Sequence, residues 1–304
     1  MDDALALLLA GASPELEVLA VSTVGGNVGV ARGTENARRI LPVAWGSQPP
    51  PPIYPGSQSA SEDAEQVHGS DGLGGAAEQY PASAPASPEH AVAAFGRLVR
   101  ARPGEISLVS LGPLTNVAQL VQQDPQGARL LREVVVMGGA FGVAGNVTPV
   151  AEYNIYADVD AAQVVCDSGL SLRWVPVNIT QRCLLLEEQL SARLADATAE
   201  GLPRLRMAQA ISQAYIHHHW LGFGERACIL HDPVAVGAVL WPELFHAEPF
   251  RVDVETFGRL TRGMTVADFR PGDHRDRSVP NALVCLDVDH EEFVRRFLDR
   301  LCAA

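Results

Sequence analysis

Basic residues are scarce in this chain of 304 residues: 23 arginines and lysines face 36 aspartates and glutamates, for a formal net charge of −13. A chain so poor in positive charge has no electrostatic footprint for nucleic acid or for an anionic membrane surface. The acidity suits a cation site, although most acidic side chains of a soluble protein are simply solvated. Paired cysteines are missing too. Cys166, Cys183, Cys228, Cys285 and Cys302 are scattered with no CxxC pair, which argues against a disulfide framework and for a reducing cytoplasm. Cys166, Cys228 and Cys285 lie in apolar runs and read as small core residues. No apolar run is long enough to span a membrane. The early LALLLAG follows two aspartates and no basic residue, a poor signal peptide. Neither a GxxxxGK[ST] loop nor a GxGxxG opening a helix occurs, which removes P-loop and Rossmann dinucleotide chemistry. No internal repeat is found. A soluble, cytoplasmic protein is expected.

What is present is ordinary globular material, 47% hydrophobic and 19% charged, enough for one large α/β domain over residues 1–304. Strand-like runs at 17–24, 106–112, 133–139 and 171–177 alternate with helical patterns at 30–41, 88–101, 114–123, 158–168 and 203–219. Near-continuous apolar strands between helices predict a doubly wound, mostly parallel sheet with helices on both faces. After a helix beyond Asp232, strand-like segments near 249–256, 263–268 and 282–287 predict a small antiparallel extension, closed by a helix from 290. The run QPPPPIYPG (48–56) reads as a stiff crossover and 76–88 as a surface loop.

Open α/β sheets bind ligands beyond the carboxyl ends of their strands, and polar residues collect at such places. Asp2 and Asp3 precede an apolar helical run, Asn27 follows Gly25-Gly26, and Leu111-Gly112-Pro113-Leu114-Thr115-Asn116 joins a strand to a helix. Met137-Gly138-Gly139 ends a strand. Asn146, Glu152-Tyr153-Asn154 and His231-Asp232-Pro233 follow. Each has a plain structural use. Acidic residues stabilise helix N-termini, Asp before Pro is a normal helix cap, and Gly-Gly and Asn make turns. Three consecutive histidines, His217 to His219, fan around a helix and make a poor metal site.

In their order, MDDALALLLAG, TVGGN, VHGSDGLGG, SLGPLTNVAQL, VVVMGGAF, GNVTPVAEYNIYAD, LHDPVAV and GMTVADFR resemble the nucleoside hydrolase family, the inosine–uridine-preferring branch in particular, from Asp2 to the C-terminus. The resemblance implies hydrolysis of purine or pyrimidine ribonucleosides to ribose and free base, with Ca2+ held by Asp3, the Leu111 carbonyl and Asp232. It implies that Asp2, Asn27, Asn146, Glu152 and Asn154 grip the ribose, with the Met137 backbone nearby, and that His231 protonates the leaving base. His68 is matched to a position near the base; Tyr215 and His219, one turn apart on a predicted helix, could close over it. Neighbouring helical residues point about 100° apart, so Asp2 and Asp3 are not expected to share one task. Homo-oligomers, tetramers or dimers, are common in the family.

The sequence departs from the family pattern at its front. The family motif is a strand followed by DxDPGxDD, and this chain starts at the residue before DD. The first strand and two aspartates are therefore not in it, and by resemblance the second of these is a calcium ligand and the base that deprotonates water. The expectation is that Met1 is internal and that the native start lies about a dozen residues upstream. The alternative is a catalytically impaired nucleoside- or ribose-binding protein of the same fold.

Overall fold

The computed structural model describes residues 1–59, 69, 71–270 and 279–303. The first half of the chain runs α1 (Asp2–Gly11), β1 (Val21–Thr23), α2 (Val30–Trp45), β2 (Ile53–Pro55), α3 (Ala91–Ala101), β3 (Ser107–Ser110), α4 (Thr115–Gln123) and β4 (Glu133–Met137). Next come α5 (Tyr153–Ala157), α6 (Val159–Cys166), β5 (Leu172–Val175), α7 (Val177–Thr180), β6 (Leu184–Leu186) and α8 (Glu187–Ala195). The last third holds α9 (Gly201–Phe223), β7 (Ala227–Ile229), α10 (His231–Leu240), β8 (Phe245–Phe250), β9 (Val252–Val254), β10 (Thr265–Ala267), β11 (Ala282–Val288) and α11 (His290–Cys302).

The layering follows from β4. Val135 and Met137 enter one core with α1, α9, α10 and α11, whereas Val134 and Val136 enter the other with α4 and α6. A strand apolar on both faces must be covered on both. The central sheet has the order β3-β4-β5-β11-β8. Its first four strands are parallel, and β8 runs antiparallel to β11.

Four expectations need correction. The proline-rich 48–56 is more than a crossover: Ile53–Pro55 pairs parallel with Val21–Thr23, because Ile53 and Tyr54 are apolar enough to be buried between the flanking prolines. The strand expected at 17–24 shrinks to the three residues that find this partner. The antiparallel extension is β8 alone, since β11 joins the parallel sheet beside β5 and β9–β10 form a separate pair. The 76–88 segment is also less superficial than its composition suggests, with Ala76, Ala77 and Ala84 buried. Among the described residues β1 pairs only with β2 and β3 only with β4, and no helix is long and apolar enough to cross a membrane.

Two helices position the site. The run ALALLLA makes α1 apolar on nearly every side, so it must be enclosed, and Leu5, Leu8 and Leu9 are fully buried. It packs against α2 and α10. The α2 contact is close: a Cβ at Gly11 would lie 2.6 Å from the Ala44 carbonyl oxygen. The partner α10 (HDPVAVGAVL) is equally apolar, with Pro233 in its first turn. Asp2 and Asp3 sit in the first turn of α1, and Asp232 in the first turn of α10.

Candidate active site

Side by side, the amino ends of α1 and α10 bring three carboxyl groups together. One carboxylate oxygen from each of Asp2, Asp3 and Asp232 lies within 4.8 Å of the others. The helix dipoles favour negative charge there, but three carboxylates in one place repel. Asp232, 3% exposed, is pushed well above the ordinary carboxylate range by burial first and then by Asp2 and Asp3. Asp3 is pushed upward by burial, with Asp2 adding to the rise. Because Asp3 keeps 47% of its side chain open, that pressure is weaker on it than on Asp232. Hard oxygen donors gathered at this spacing fit a calcium-sized cation. Although neighbouring helical residues point about 100° apart, one carboxylate oxygen of Asp2 and one of Asp3 come within 4.8 Å, since in a first helical turn both short side chains can reach past the helix end.

The other predicted residues lie where the strands end. Asn27, beyond β1, points its Nδ2 at Asp3 Oδ2 at 3.5 Å. Leu111, beyond β3, offers its carbonyl to Asn154 Nδ2 at 3.0 Å, and the same nitrogen donates to the Met137 carbonyl at 3.1 Å. A carbonyl has two lone pairs, so the Leu111 oxygen can accept one partner more. Glu152 caps α5. Its carboxylate accepts the backbone N–H groups of Asn154 at 2.9 Å, Gly139 at 3.0 Å and Ile155 at 3.3 Å. Burial nevertheless lifts it to about 7, with the three donors opposing and Asp2 adding to the rise. The exposed Asn146 accepts the Tyr153 N–H at 2.8 Å, which ties its loop to the start of the same helix.

His231 opens α10, and its Nδ1 lies 2.7 Å from Thr180 Oγ1. Burial holds it below its usual value, with Asp2 opposing. Tyr215, on α9, is near enough to Asp2 and Cys228 to feel both; burial, chiefly, drives its phenol upward. His219 does not join the group. Its Nδ1 is paired with the Glu225 carbonyl at 3.0 Å and its ring stacks on Phe223, with centroids 4.8 Å apart, at the far end of α9. His68 lies outside the described residues.

Two contacts were not singled out by sequence reasoning. Thr180 follows β5, a place that the strand-end rule covers. Asn116, in the GPLTN segment, donates to the Thr23 carbonyl at 3.0 Å and accepts the Ser57 N–H at 2.9 Å, so it locks the ends of β1 and β2 to α4. A groove of about 600 Å³ between α3 and α4 contains none of these groups. Its arginines are already paired, Arg97 with Glu89 and Arg100 with Asp124.

Known proteins resemble the chain over nearly its whole length. Residues 1–295 match the family model described as inosine-uridine preferring nucleoside hydrolase. The pyrimidine-specific ribonucleoside hydrolase RihA of Escherichia coli O9:H4 is 36% identical over 312 residues, with 99% of this chain and 94% of that protein covered. Among solved structures, a plant nucleoside hydrolase, the PpNRh1 enzyme, superposes with a TM-score of 0.89 at 32% identity, covering 100% of this chain and 96% of the other. A purine-preferring ribonucleoside hydrolase from Gardnerella vaginalis gives 0.88 at 28% identity, covering 99% and 95%.

Proposed function

From the premise that the chain belongs to the inosine-uridine preferring nucleoside hydrolase family, we propose that it hydrolyses the N-glycosidic bond of pyrimidine and purine ribonucleosides with the help of Ca2+. The observation that carries this reading is the meeting of Asp2, Asp3 and Asp232 where two buried helices begin. Asp3, Asp232 and the Leu111 carbonyl are the proposed calcium ligands. When bound, calcium orients a water for attack on the anomeric carbon and makes that water more acidic.

The remaining steps belong to the chain's own side chains. Cleavage of an N-riboside builds oxocarbenium character on the sugar, so contacts to the ribose hydroxyls that tighten in the transition state lower the barrier. Asp2, Asn27, Asn146, Glu152 and Asn154 supply these contacts, with the Met137 carbonyl alongside. Glu152 and Asn154 are held rigid by the backbone bonds described above, so orienting the sugar costs them little reorganisation. The attacking water must surrender a proton. The DxDPG aspartate that the resemblance makes the acceptor is not among residues 1–304; within them Asp3 is the proposed acceptor, because nearly half of it is exposed while Asp232 is sealed. His231 delivers a proton from Nε2 to the departing base as the C–N bond breaks. Tyr215 is the residue proposed to face the base.

The test is ribose release from uridine and from inosine by the purified chain, with Ca2+ and with EDTA. Turnover that EDTA abolishes and Ca2+ restores is expected. Calorimetric binding of uridine without any turnover would instead mean a nucleoside-binding protein.

A further inference from the structure

We propose that Thr180 is a positioning residue for His231: its hydroxyl holds the imidazole in the orientation from which the base is protonated. The inference rests on the proposed role of His231. Thr180 ends α7 and is fully buried, with its Oγ1 2.7 Å from His231 Nδ1. Both sides of this bond are anchored. On one side, the Thr180 N–H donates to the Pro176 carbonyl at 3.2 Å and the Val177 N–H donates to the Gly139 carbonyl at 3.0 Å, which fixes α7 to the glycine turn after β4. On the other, the Cys183 carbonyl accepts the Leu230 N–H at 3.0 Å, so the residue before His231 is tied to the segment that follows Thr180. Val177 and Ile179 on α7 are fully buried, so the turn is packed as well as bonded.

With Nδ1 engaged, Nε2 is the ring nitrogen left for the substrate, and His231 is only partly buried. A threonine hydroxyl can accept or donate as its hydrogen rotates. It accepts the Nδ1–H of the imidazolium before transfer. The proton then leaves Nε2 for the base nitrogen, which also receives the electron pair of the broken C–N bond. The neutral ring keeps its Nδ1–H on Thr180 afterwards. The bond therefore survives the transfer, and the ring is not free to turn.

The experiment uses the full chain with Ca2+ and compares wild type, Thr180→Val, Thr180→Ser and His231→Ala on two substrates. Uridine needs help for its base to leave, whereas p-nitrophenyl β-D-ribofuranoside has a leaving group that departs without protonation. Thr180→Val is expected to lower kcat on uridine about tenfold or more with KM nearly unchanged, and to spare the nitrophenyl substrate; Thr180→Ser should restore most of the loss. In 15N NMR the His231 ring should lose its single fixed tautomer in Thr180→Val and keep it in Thr180→Ser. Equal losses on both substrates would assign Thr180 a merely structural role and overturn the inference, as would an unchanged kcat on uridine. Full uridine turnover by His231→Ala would refute the role of His231 itself, and the inference with it. If His231→Ala is impaired and Thr180→Val is not, only the inference about Thr180 fails. Should Thr180→Val fold poorly, Thr180→Ala carries the same comparison.

Discussion

Replacing Glu152 with glutamine tests whether burial or hydrogen bonding controls the most enclosed carboxyl of the cleft. Glu152 is 2% exposed and is lifted to about 7 from an ordinary 4.5. Between those two values the folded protein keeps a proton that the unfolded chain has lost, so stability falls as pH rises through the window. At about 1.36 kcal/mol per pH unit, the 2.5-unit interval between the two values amounts to about 3 kcal/mol, present below pH 4.5 and lost above pH 7. The side chain of Glu152→Gln does not titrate, so the stability of that variant lacks this slope. It does turn an NH2 toward backbone donors now served by the carboxylate, at a cost of about 1–3 kcal/mol at every pH. The variant should therefore be the less stable protein at pH 5 and should match or exceed wild type at pH 8. The assay is the difference in Tm between the two proteins from pH 4.5 to 8 in EDTA; subtraction cancels the other groups that they share. At about 2–4 °C per kcal/mol for a large domain, the difference should swing by about 6–12 °C. A flat difference, or a swing of opposite sign, would refute the reasoning and show that the three N–H donors outweigh desolvation.

Other outcomes follow from the same geometry. Ca2+ should raise Tm by several degrees, since a ligand at a thousand times its Kd stabilises by about 4 kcal/mol, and Asp232→Ala should remove both this rise and uridine turnover. Gly11→Ala should destabilise by about 1–3 kcal/mol in urea unfolding, although helix propensity alone predicts a gain of about 1 kcal/mol, because the new methyl would meet the Ala44 backbone. His219→Ala should leave kcat/KM on uridine within about twofold; a loss beyond tenfold would place that ring at the substrate after all.

The parallel sheet was legible because Val134 to Val136 declare a strand apolar on both faces, and the helix starts were legible because Asp2, Asp3 and Asp232 stand before apolar runs. Ile53–Pro55 was not: prolines remove ladder donors, so a three-residue strand among them reads as a linker until Val21–Thr23 is beside it. The convergence of Asp2 with Asp3 was hidden by a rule for helix interiors that does not bind the first turn. Thr180 was invisible for another reason. A threonine after a strand is generic, and its partner is 51 residues away, a distance that only the packed turn at Cys183 and Leu230 closes. His219 shares a helical face with Tyr215, as its spacing suggested, and its ring is also held by Phe223 and the Glu225 carbonyl, which the spacing alone does not reveal.

The acidic cluster joins residues 2 and 3 to residue 232, so its two halves are separated by most of the chain. Such a contact closes a very long loop, and long-range closures come late in folding. A nascent chain cannot assemble the cluster until α10 has been made and has docked on α1. The proposed cation affinity is therefore a report on completed folding: a chain interrupted anywhere before His231 would hold Asp2 and Asp3 but would have no partner with which to share an ion.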